Sequence, residues 1–223
     1  MREGYAAWAD SYPARPHNPL MEVEQAIVAQ IVVAAAPERA LDVGTGTGRY
    51  LPVLVSAGAT LVVGLDLSMA MLRHQLPQGR RVCADATSLP FADGSFDLVC
   101  SSLMVGDVND LGPWIAEATR VLAPGGQLVY SDFHPSWAAR QWRRTFTSAD
   151  GRQFELSYFP HQIDDHLTRL ETAGMTIRAI REPRLAGRPD PVVAIFHAEK
   201  RGPVTARRVR PGTRDPHTSP PRG

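Results

Sequence analysis

The sequence predicts an α/β fold, a doubly wound and mostly parallel sheet with helices on both faces. Short apolar runs alternate with segments of helical periodicity along most of the chain, which is the pattern of strands joined by crossover helices. The apolar runs are continuous, as expected for strands that are buried on both faces. Gly44, Gly46 and Gly48 lie between the first run and a helical pattern, where the backbone must turn sharply and leave room for a ligand.

The predicted helices rest on apolar residues at helical spacing and on residues that begin or end helices. Pro37 ends the first helix, Ser68 is a favourable N-cap, Pro113 begins a helix and Gly174 ends one. The helices predicted in this way span 21–36, 48–57, 68–76, 113–122 and 163–173.

The predicted strands are apolar runs bounded by turn residues. They span 39–43, 61–66, 81–84, 96–101, 127–133, 175–182 and 192–199. The segment 134–162 is long for a connection in such a fold, so we expect it to be a structured insert. Within it, Asp150-Gly151 between apolar residues predicts a β-hairpin.

The composition is typical of a soluble globular domain, with 43% hydrophobic and 21% charged residues in a chain of 223. No apolar run approaches the roughly 20 residues of a membrane-spanning helix, and residues 1–10 lack the pattern of a signal peptide. Cys83 and Cys100 lie in predicted buried strands, which indicates two reduced thiols. We therefore expect a cytoplasmic protein that has no membrane partner.

The charge is unevenly distributed along the chain. Residues 201–223 contain six arginines and one aspartate, a net charge of +5, so residues 1–200 carry −4 of the overall +1. The tail also holds five prolines and no apolar periodicity, so we expect 201–223 to be a disordered basic tail. An acidic body argues against a nucleic-acid partner, which would require a basic face.

The residues that close the predicted strands are the candidate ligand residues, because ligands in such sheets bind beyond the carboxyl ends of the strands. Asp66 ends the second strand, where its carboxylate can accept both hydroxyls of a ribose; the alternative is an aspartate that stabilises a helix N-terminus. Asp85 and Ala86 follow the third strand, where Asp85 can accept from an adenine amine; the alternative is a turn residue.

The spacing of the motifs resembles that of one enzyme family. The loop reads Gly-x-Gly-x-Gly with Asp42 before it, whereas the nicotinamide fingerprint reads Gly-x-Gly-x-x-Gly. This variant is similar to motif I of the class I S-adenosylmethionine (SAM) methyltransferases. Residues 85–99 read D-A-x-x-L-P-F-x-D-G-S-F-D-L-V and residues 120–126 read R-V-L-x-P-G-G. These motifs resemble the small-molecule branch of that family, which includes ubiquinone/menaquinone and malonyl-carrier-protein methyltransferases, over residues 36–133.

The resemblance implies a Rossmann-like sheet of seven strands whose last strand is antiparallel, with SAM lying across the first four strand ends. It implies that the glycines face the methionine part, and that Ser101 and Leu103 line the methyl donor. Residues 5–12 are similar to a tyrosine-rich N-terminal lid, so 1–36 is expected to be a helical lid; the alternative is a helix packed on the sheet. The expected cofactor residues are Tyr5, Tyr12, Asp42, Gly44, Gly46, Gly48, Asp66, Leu67, Asp85, Ala86, Ser101 and Leu103.

The methyltransferase domain is then expected to span 37–200, with 134–162 as its substrate-side insert. Three histidines in or after this insert are candidate general bases, because histidine removes protons near neutral pH: His134, His161 and His166. A metal site formed by the same three histidines is a weaker alternative, and no metal is expected. The expected substrate residues are Trp137, Trp142, Arg143 and Tyr158.

These observations predict a SAM-dependent methyltransferase that forms S-adenosylhomocysteine and acts on an oxygen or nitrogen of a small organic molecule, with carbon still open. We expect a role in natural-product metabolism and a monomer or homodimer. One alternative is a SAM-binding cyclase or another protein that binds SAM without transferring its methyl group. A second alternative is methylation of an acyl carboxylate bound to a carrier protein.

Overall fold

A mixed seven-stranded sheet organises the fold in the computed structural model, which describes residues 2–140, 142–148 and 150–202. The strands in chain order are β1 (Arg39–Val43), β2 (Leu61–Asp66), β3 (Arg80–Cys83), β4 (Phe96–Ser102), β5 (Leu122–Phe133), β6 (Arg144–Thr147), β7 (Gln153–Leu156), β8 (Met175–Arg181) and β9 (Val193–Lys200). The order across the sheet is β3-β2-β1-β4-β5-β9-β8. Strand β9 is antiparallel to β5 and β8, whereas β1 to β5 are parallel, so the predicted fold class is confirmed.

Strands β6 and β7 form a separate antiparallel hairpin, as Asp150-Gly151 predicted. The helices are α1 (Arg2–Trp8), α2 (Pro19–Ala35), α3 (Leu51–Ser56), α4 (Met69–Arg73), α5 (Leu111–Val121) and α6 (Ile163–Thr172). Helix α5 begins two residues before the predicted Pro113, because the Asp110 side chain caps it by accepting from the amide of Gly112 at 2.9 Å. The expected disordered tail lies outside the described residues from position 203 onward.

The hydrophobic core has two layers, one on each face of the sheet. Alternate residues of the central strands enter different clusters: Leu41 belongs to one and Ala40 to the other. One cluster is covered by α5 and α6 and contains Trp114 and Phe196, and the other is covered by α2 and α3. Burial on both faces is the reason that these strands read as continuous apolar runs.

Strand β3 does not follow this rule, because it lies at the edge of the sheet. Cys83 at its end is exposed, so the prediction of two buried thiols is wrong for Cys83 and right for Cys100. An edge strand is partnered on one side only, and it is less covered by helices than the central strands. Within the described residues, no helix is long and apolar enough to cross a membrane.

Candidate functional site

The loop after β1 carries three glycines in the left-handed backbone region. Gly44, Gly46 and Gly48 have φ angles of 71°, 57° and 91°, which residues with a Cβ rarely adopt. The amide of Gly44 donates to the carbonyl oxygen of Leu65 in β2 at 2.8 Å, which ties the loop to the neighbouring strand. The backbone conformation is therefore by itself a sufficient reason for glycine at these three positions.

The surroundings of Gly44 and Gly46 differ in how much space they leave for a side chain. A Cβ on Gly44 would lie 2.4 Å from Cγ of Met104, so the loop is tightly packed at this point. A Cβ on Gly46 would meet only Tyr12 Cε1, at 4.0 Å, among the described residues. Space is therefore left directly over Gly46.

That space is part of a cavity of about 560 Å³ at the carboxyl ends of the central strands. Its volume lies in the range of small-molecule sites, roughly 300–1,000 Å³. The structure brings most of the expected cofactor residues into its wall: Tyr5, Tyr12, Asp42, Gly44, Gly46, Asp66, Leu67, Asp85, Ala86 and Leu103.

Gly48 and Ser101 are the expected cofactor residues that do not line this cavity. Gly48 closes the loop, where its amide donates to the carbonyl oxygen of Thr45 at 2.9 Å. A Cβ on Gly48 would lie 2.8 Å from Cδ1 of Leu51. The Ser101 side chain is buried in β4, and its hydroxyl has no hydrogen-bond partner among the described residues. Gly48 therefore helps to shape the loop, whereas Ser101 lies in β4 outside the described wall.

Asp66 is held in place by backbone amides on both of its oxygens. Oδ2 accepts from the amide of Gly46 and Oδ1 from the amide of Ser68, each at 2.8 Å. Burial raises the pKa of this carboxyl, although these two bonds favour its charged form. A carboxylate offers about four acceptor sites, so the oxygens can still accept from a ligand in the cavity.

Asp42 lies deeper under the loop and is almost fully buried. It accepts from the hydroxyl of Thr45 at 2.7 Å and from the thiol of Cys100 at 3.5 Å. Burial raises the pKa of Asp42 to about 6. Its hydrogen bonds to the loop indicate that Asp42 supports the glycine turn.

A turn after β3 and one strained residue after β4 also line the cavity. Oδ1 of Asp85 accepts from the amide and the hydroxyl of Thr87, at 2.8 and 2.7 Å. Leu103 has a φ of 54°, which is unusual for a residue with a branched side chain. Its amide donates to the carbonyl oxygen of Ser131 at 3.0 Å, which holds it in this conformation. Strained backbone of this kind is often found at ligand sites.

A buried ion pair lies below the cavity floor. Glu24 of α2 is fully buried and its carboxylate accepts from four donors: Arg49 Nη1 at 3.0 Å, Tyr50 Oη at 2.8 Å, Ser102 Oγ at 2.8 Å and Ser131 Oγ at 2.7 Å. The guanidinium of Arg49 also lines the cavity. This network joins α2 to the glycine loop and to the ends of β4 and β5.

Helix α1 and the β6–β7 hairpin cover the cavity together. The Trp8 ring stacks on Phe146 of β6, with centroids 4.4 Å apart and planes at 9°. Gly4 packs so closely that a Cβ there would lie 2.6 Å from Cδ2 of Leu156 in β7. Tyr5 and Tyr12, from α1 and the segment after it, line the cavity. Helix α1 and Tyr12 thus lie over the cavity, whereas α2, which belongs to the same predicted lid segment 1–36, packs on the sheet.

Arg144 is the basic residue of the insert that reaches the cavity. Its Nη1 donates to Oδ1 of Asp107 at 2.6 Å, and the hydroxyl of Tyr5 donates to Oδ2 of the same carboxylate. Burial raises the pKa of Asp107. Arg143, the expected substrate residue, is instead exposed and pairs with Glu155, because neighbouring residues of an extended chain point to opposite faces.

His134 lies outside the cavity wall. Its Nε2 is 2.8 Å from Oε1 of Glu182 and its Nδ1 is 2.9 Å from the hydroxyl of Ser136. Both ring nitrogens are thus engaged by residues that do not line the cavity. The structure does not bring this candidate base to the predicted site.

His161 and His166 are also outside the cavity wall. Nε2 of His161 is 2.8 Å from the carbonyl oxygen of Val108. His166 is buried in the core, where its ring stacks on Phe196 and its Nδ1 is 3.1 Å from the hydroxyl of Tyr130. Among the described residues, no group of three His, Cys, Asp or Glu side chains is placed to hold a metal ion, so the three-histidine site is not assembled.

The buried position of His166 predicts a pH effect on stability. Burial lowers the pKa of His166 to about 3, whereas an unfolded chain has about 6.5. As the pH falls below 6.5, the unfolded state takes up a proton that the folded state does not, so stability is lost. We expect the difference in free energy of unfolding between wild type and His166→Gln to shrink by about 1–2 kcal/mol from pH 7 to pH 5.

Urea denaturation at both pH values measures this difference. His17→Gln is the control for the removal of a histidine, because His17 is exposed. An unchanged difference between wild type and His166→Gln across this range would contradict the assignment of a neutral, buried histidine.

The expected aromatic substrate residues form a cluster beside the cavity. Trp142 packs on Phe133, Trp137 and Tyr158, with ring centroids 4.8, 5.1 and 5.6 Å apart. Trp137 and Trp142 line a second cavity of about 430 Å³ with residues 187–192. Tyr158 packs against Gly106, where a Cβ would lie 2.3 Å from its ring. The described wall of the main cavity contains none of Trp137, Trp142 and Tyr158.

Three residues of the site, Arg49, Arg144 and Glu24, are not among the expected site residues, and the first two left a signal. Arg49 directly follows the last glycine, where a charged residue has to meet either the ligand or a buried partner. Arg144 is two residues before Phe146 in a predicted strand, and residues at this spacing share a face. Glu24 carries no such signal, because its partners are distant in sequence.

Comparison with known proteins shows what this site is similar to. Residues 41–130 match a family model described as a methyltransferase domain, so the resemblance predicted from the motifs is confirmed. A demethylmenaquinone methyltransferase from Renibacterium salmoninarum is 41% identical over 115 residues, which cover 50% of this chain and 48% of that protein. A malonyl-[acyl-carrier protein] O-methyltransferase from Laribacter hongkongensis is 34% identical over 181 residues, 74% of this chain and 60% of that protein.

The chain therefore spans 48% and 60% of the lengths of these two curated relatives. Among solved structures, a S-adenosylmethionine dependent methyltransferase from Mesorhizobium loti superposes with a TM-score of 0.66. The two chains are 23% identical, and the match covers 81% of this chain and 100% of that one. This similarity shows that the two share a fold.

Proposed function

We propose that this chain, whose residues 41–130 form a methyltransferase domain, is a SAM-dependent methyltransferase that acts on a small organic molecule. The observation that carries the proposal is that Gly44, Gly46, Asp66 and Asp85 all line one cavity at the strand ends. Ligands of doubly wound sheets bind at this edge. A cavity of about 560 Å³ has room for a nucleotide-sized ligand.

The donor groups of the wall fit SAM. The open space over Gly46 would admit the methionine part against the loop backbone, where a side chain would fill it. Asp66 would accept from the ribose hydroxyls, because its oxygens are fixed by amides and still have acceptor capacity. Asp85 and Ala86 would contact the adenine, with Leu67 beside them.

SAM supplies a methyl group on a positively charged sulfur, so the donor needs no further activation when bound. The protein has to align the acceptor, keep water away and, for some acceptors, remove a proton. Helix α1 and the β6–β7 hairpin, which cover the cavity, are suited to exclude water. Tyr5 and Tyr12 add aromatic rings that can stabilise a nearby cation.

The acceptor is proposed to be an oxygen or nitrogen of a small molecule. A carrier-bound carboxylate is a second candidate, favoured by the 34% identity to the malonyl-[acyl-carrier protein] O-methyltransferase. The role in natural-product metabolism and the monomeric or dimeric state stay predictions. A protein that binds SAM without transferring its methyl group would form no S-adenosylhomocysteine with any acceptor, which distinguishes that alternative.

Calorimetry on the full chain tests the proposal. We expect saturable binding of SAM and S-adenosylhomocysteine, and no competing binding of NAD. Bound ligand should also raise the melting temperature, and further at higher ligand concentration, because it stabilises only the folded state. Tighter binding of NAD than of both sulfur nucleotides would overturn the proposal.

A further inference from the structure

Arg144 is a buried cation in the wall of the main cavity. Its side chain is 12% exposed, and only Nη1 is used by the protein, in the bond to Asp107. Nε and Nη2 donate to no atom of the described residues. Neither nitrogen is among the fully buried polar atoms that lack a partner, so both keep some accessible surface. Both nitrogens are therefore available to a ligand in the cavity.

The surroundings of Arg144 hold it in a fixed orientation. Both oxygens of Asp107 are occupied, one by Arg144 and one by the hydroxyl of Tyr5. The guanidinium also lies over the Phe133 ring, 5.5 Å from its centroid. A fixed guanidinium with two free donors matches the geometry of a planar anion such as a carboxylate.

The wall offers no side chain suited to take a proton from a neutral acceptor. Asp42, Asp66, Asp85 and Asp107 each accept from two donors, and burial raises the pKa of Tyr5 and Tyr12. No histidine, lysine or glutamate is among the described residues of the wall, whose ionisable members are Tyr5, Tyr12, Asp42, Arg49, Tyr50, Asp66, Asp85, Asp107 and Arg144. An acceptor that binds already ionised would need no base.

We infer that the acceptor is an oxyanion, a carboxylate or an acidic enol or phenol, and that Arg144 is its anchor. This inference rests on the proposed function. The acceptor oxygen uses a lone pair to form the new C–O bond, while the C–S bond of SAM breaks and its electron pair stays on sulfur. The negative charge of the acceptor and the positive charge of the sulfonium are both lost, and no proton is moved.

Calorimetry in saturating S-adenosylhomocysteine tests the inference without turnover. The probes are matched anions and neutral analogues: benzoate with benzamide, hexanoate with hexanamide, and 4-nitrophenolate with 4-nitroaniline. We expect at least one anion to bind wild type roughly 10- to 100-fold more tightly than its neutral analogue, the range for hydrogen bonds to charged groups. Arg144→Gln should abolish this preference.

Two further variants keep the result interpretable. Arg152→Gln is the matched control, because Arg152 lies on the same hairpin with a carboxylate partner and is 71% exposed; it should keep the preference. Since Arg144→Gln leaves Asp107 without its cation, the double variant Arg144→Gln/Asp107→Asn removes the pair together and should also lose the preference while still binding S-adenosylhomocysteine.

The outcomes separate the two proposals. If wild type binds S-adenosylhomocysteine but no anion more tightly than its neutral analogue, the inference is overturned and the proposed function stands. The inference is also overturned if both Arg144 variants bind S-adenosylhomocysteine and keep the preference. Loss of S-adenosylhomocysteine binding by wild type would instead remove the proposed function.

Discussion

Replacing Glu24 with alanine is expected to lower the free energy of unfolding by about 3–5 kcal/mol. Glu24 is fully buried and accepts hydrogen bonds from Arg49, Tyr50, Ser102 and Ser131. Its removal leaves a buried guanidinium without a counter-charge and three hydroxyl groups without an acceptor, and each of these is costly for groups that are largely buried. The loss is large against a total stability of about 5–15 kcal/mol for a typical domain.

Urea denaturation followed by circular dichroism measures this loss as a lower midpoint at unchanged slope. Glu22→Ala is the matched control, because Glu22 is exposed on the same helix and its removal should cost about 1 kcal/mol or less. If the two variants unfold at the same urea concentration, the Glu24 network does not stabilise the fold.

Much of the fold could be predicted because local chemistry and tertiary structure agree along this chain. The continuous apolar runs became central strands, and Asp150-Gly151 became the turn of a hairpin. Asn18 and Ser68 cap α2 and α4 with their side chains, as residues of their type do at helix starts. The edge position of β3 could not be predicted, because strand order depends on how distant segments pair.

The part of the site formed by the glycine loop and by residues at the ends of strands could be predicted from the sequence. Gly44, Gly46 and Asp66 lie next to one another because parallel strands end at the same edge of the sheet. The candidate residues in and after the insert were less predictable, because they were chosen by the chemistry of their side chains alone. His166 has the right chemistry for a base, but it faces the core under α6 and stacks on Phe196. Arg144 lines the cavity because of the face of the hairpin on which it lies. The residue type does not indicate that face, since the neighbouring Arg143 is exposed.

Asp66→Asn is expected to weaken binding of S-adenosylhomocysteine by about 100-fold, since two hydrogen bonds from ribose hydroxyls to a charged acceptor would be weakened. The variant also replaces one of the oxygens that accept from Gly46 and Ser68 with an amide nitrogen, so one backbone amide then faces a donor. Calorimetry gives the affinity, and the melting temperature without ligand shows whether the variant is folded.

Asp164→Asn is the matched control, because Asp164 is exposed in the first turn of α6, far in sequence from the cavity wall and absent from it. We expect wild-type affinity from this control. A folded Asp66→Asn protein that binds S-adenosylhomocysteine within about threefold of wild type would mean that the ribose is held elsewhere. The cavity would then have to bind its ligand through the glycine loop and the lid alone, and Asp66 would serve only to fix the loop at Gly46.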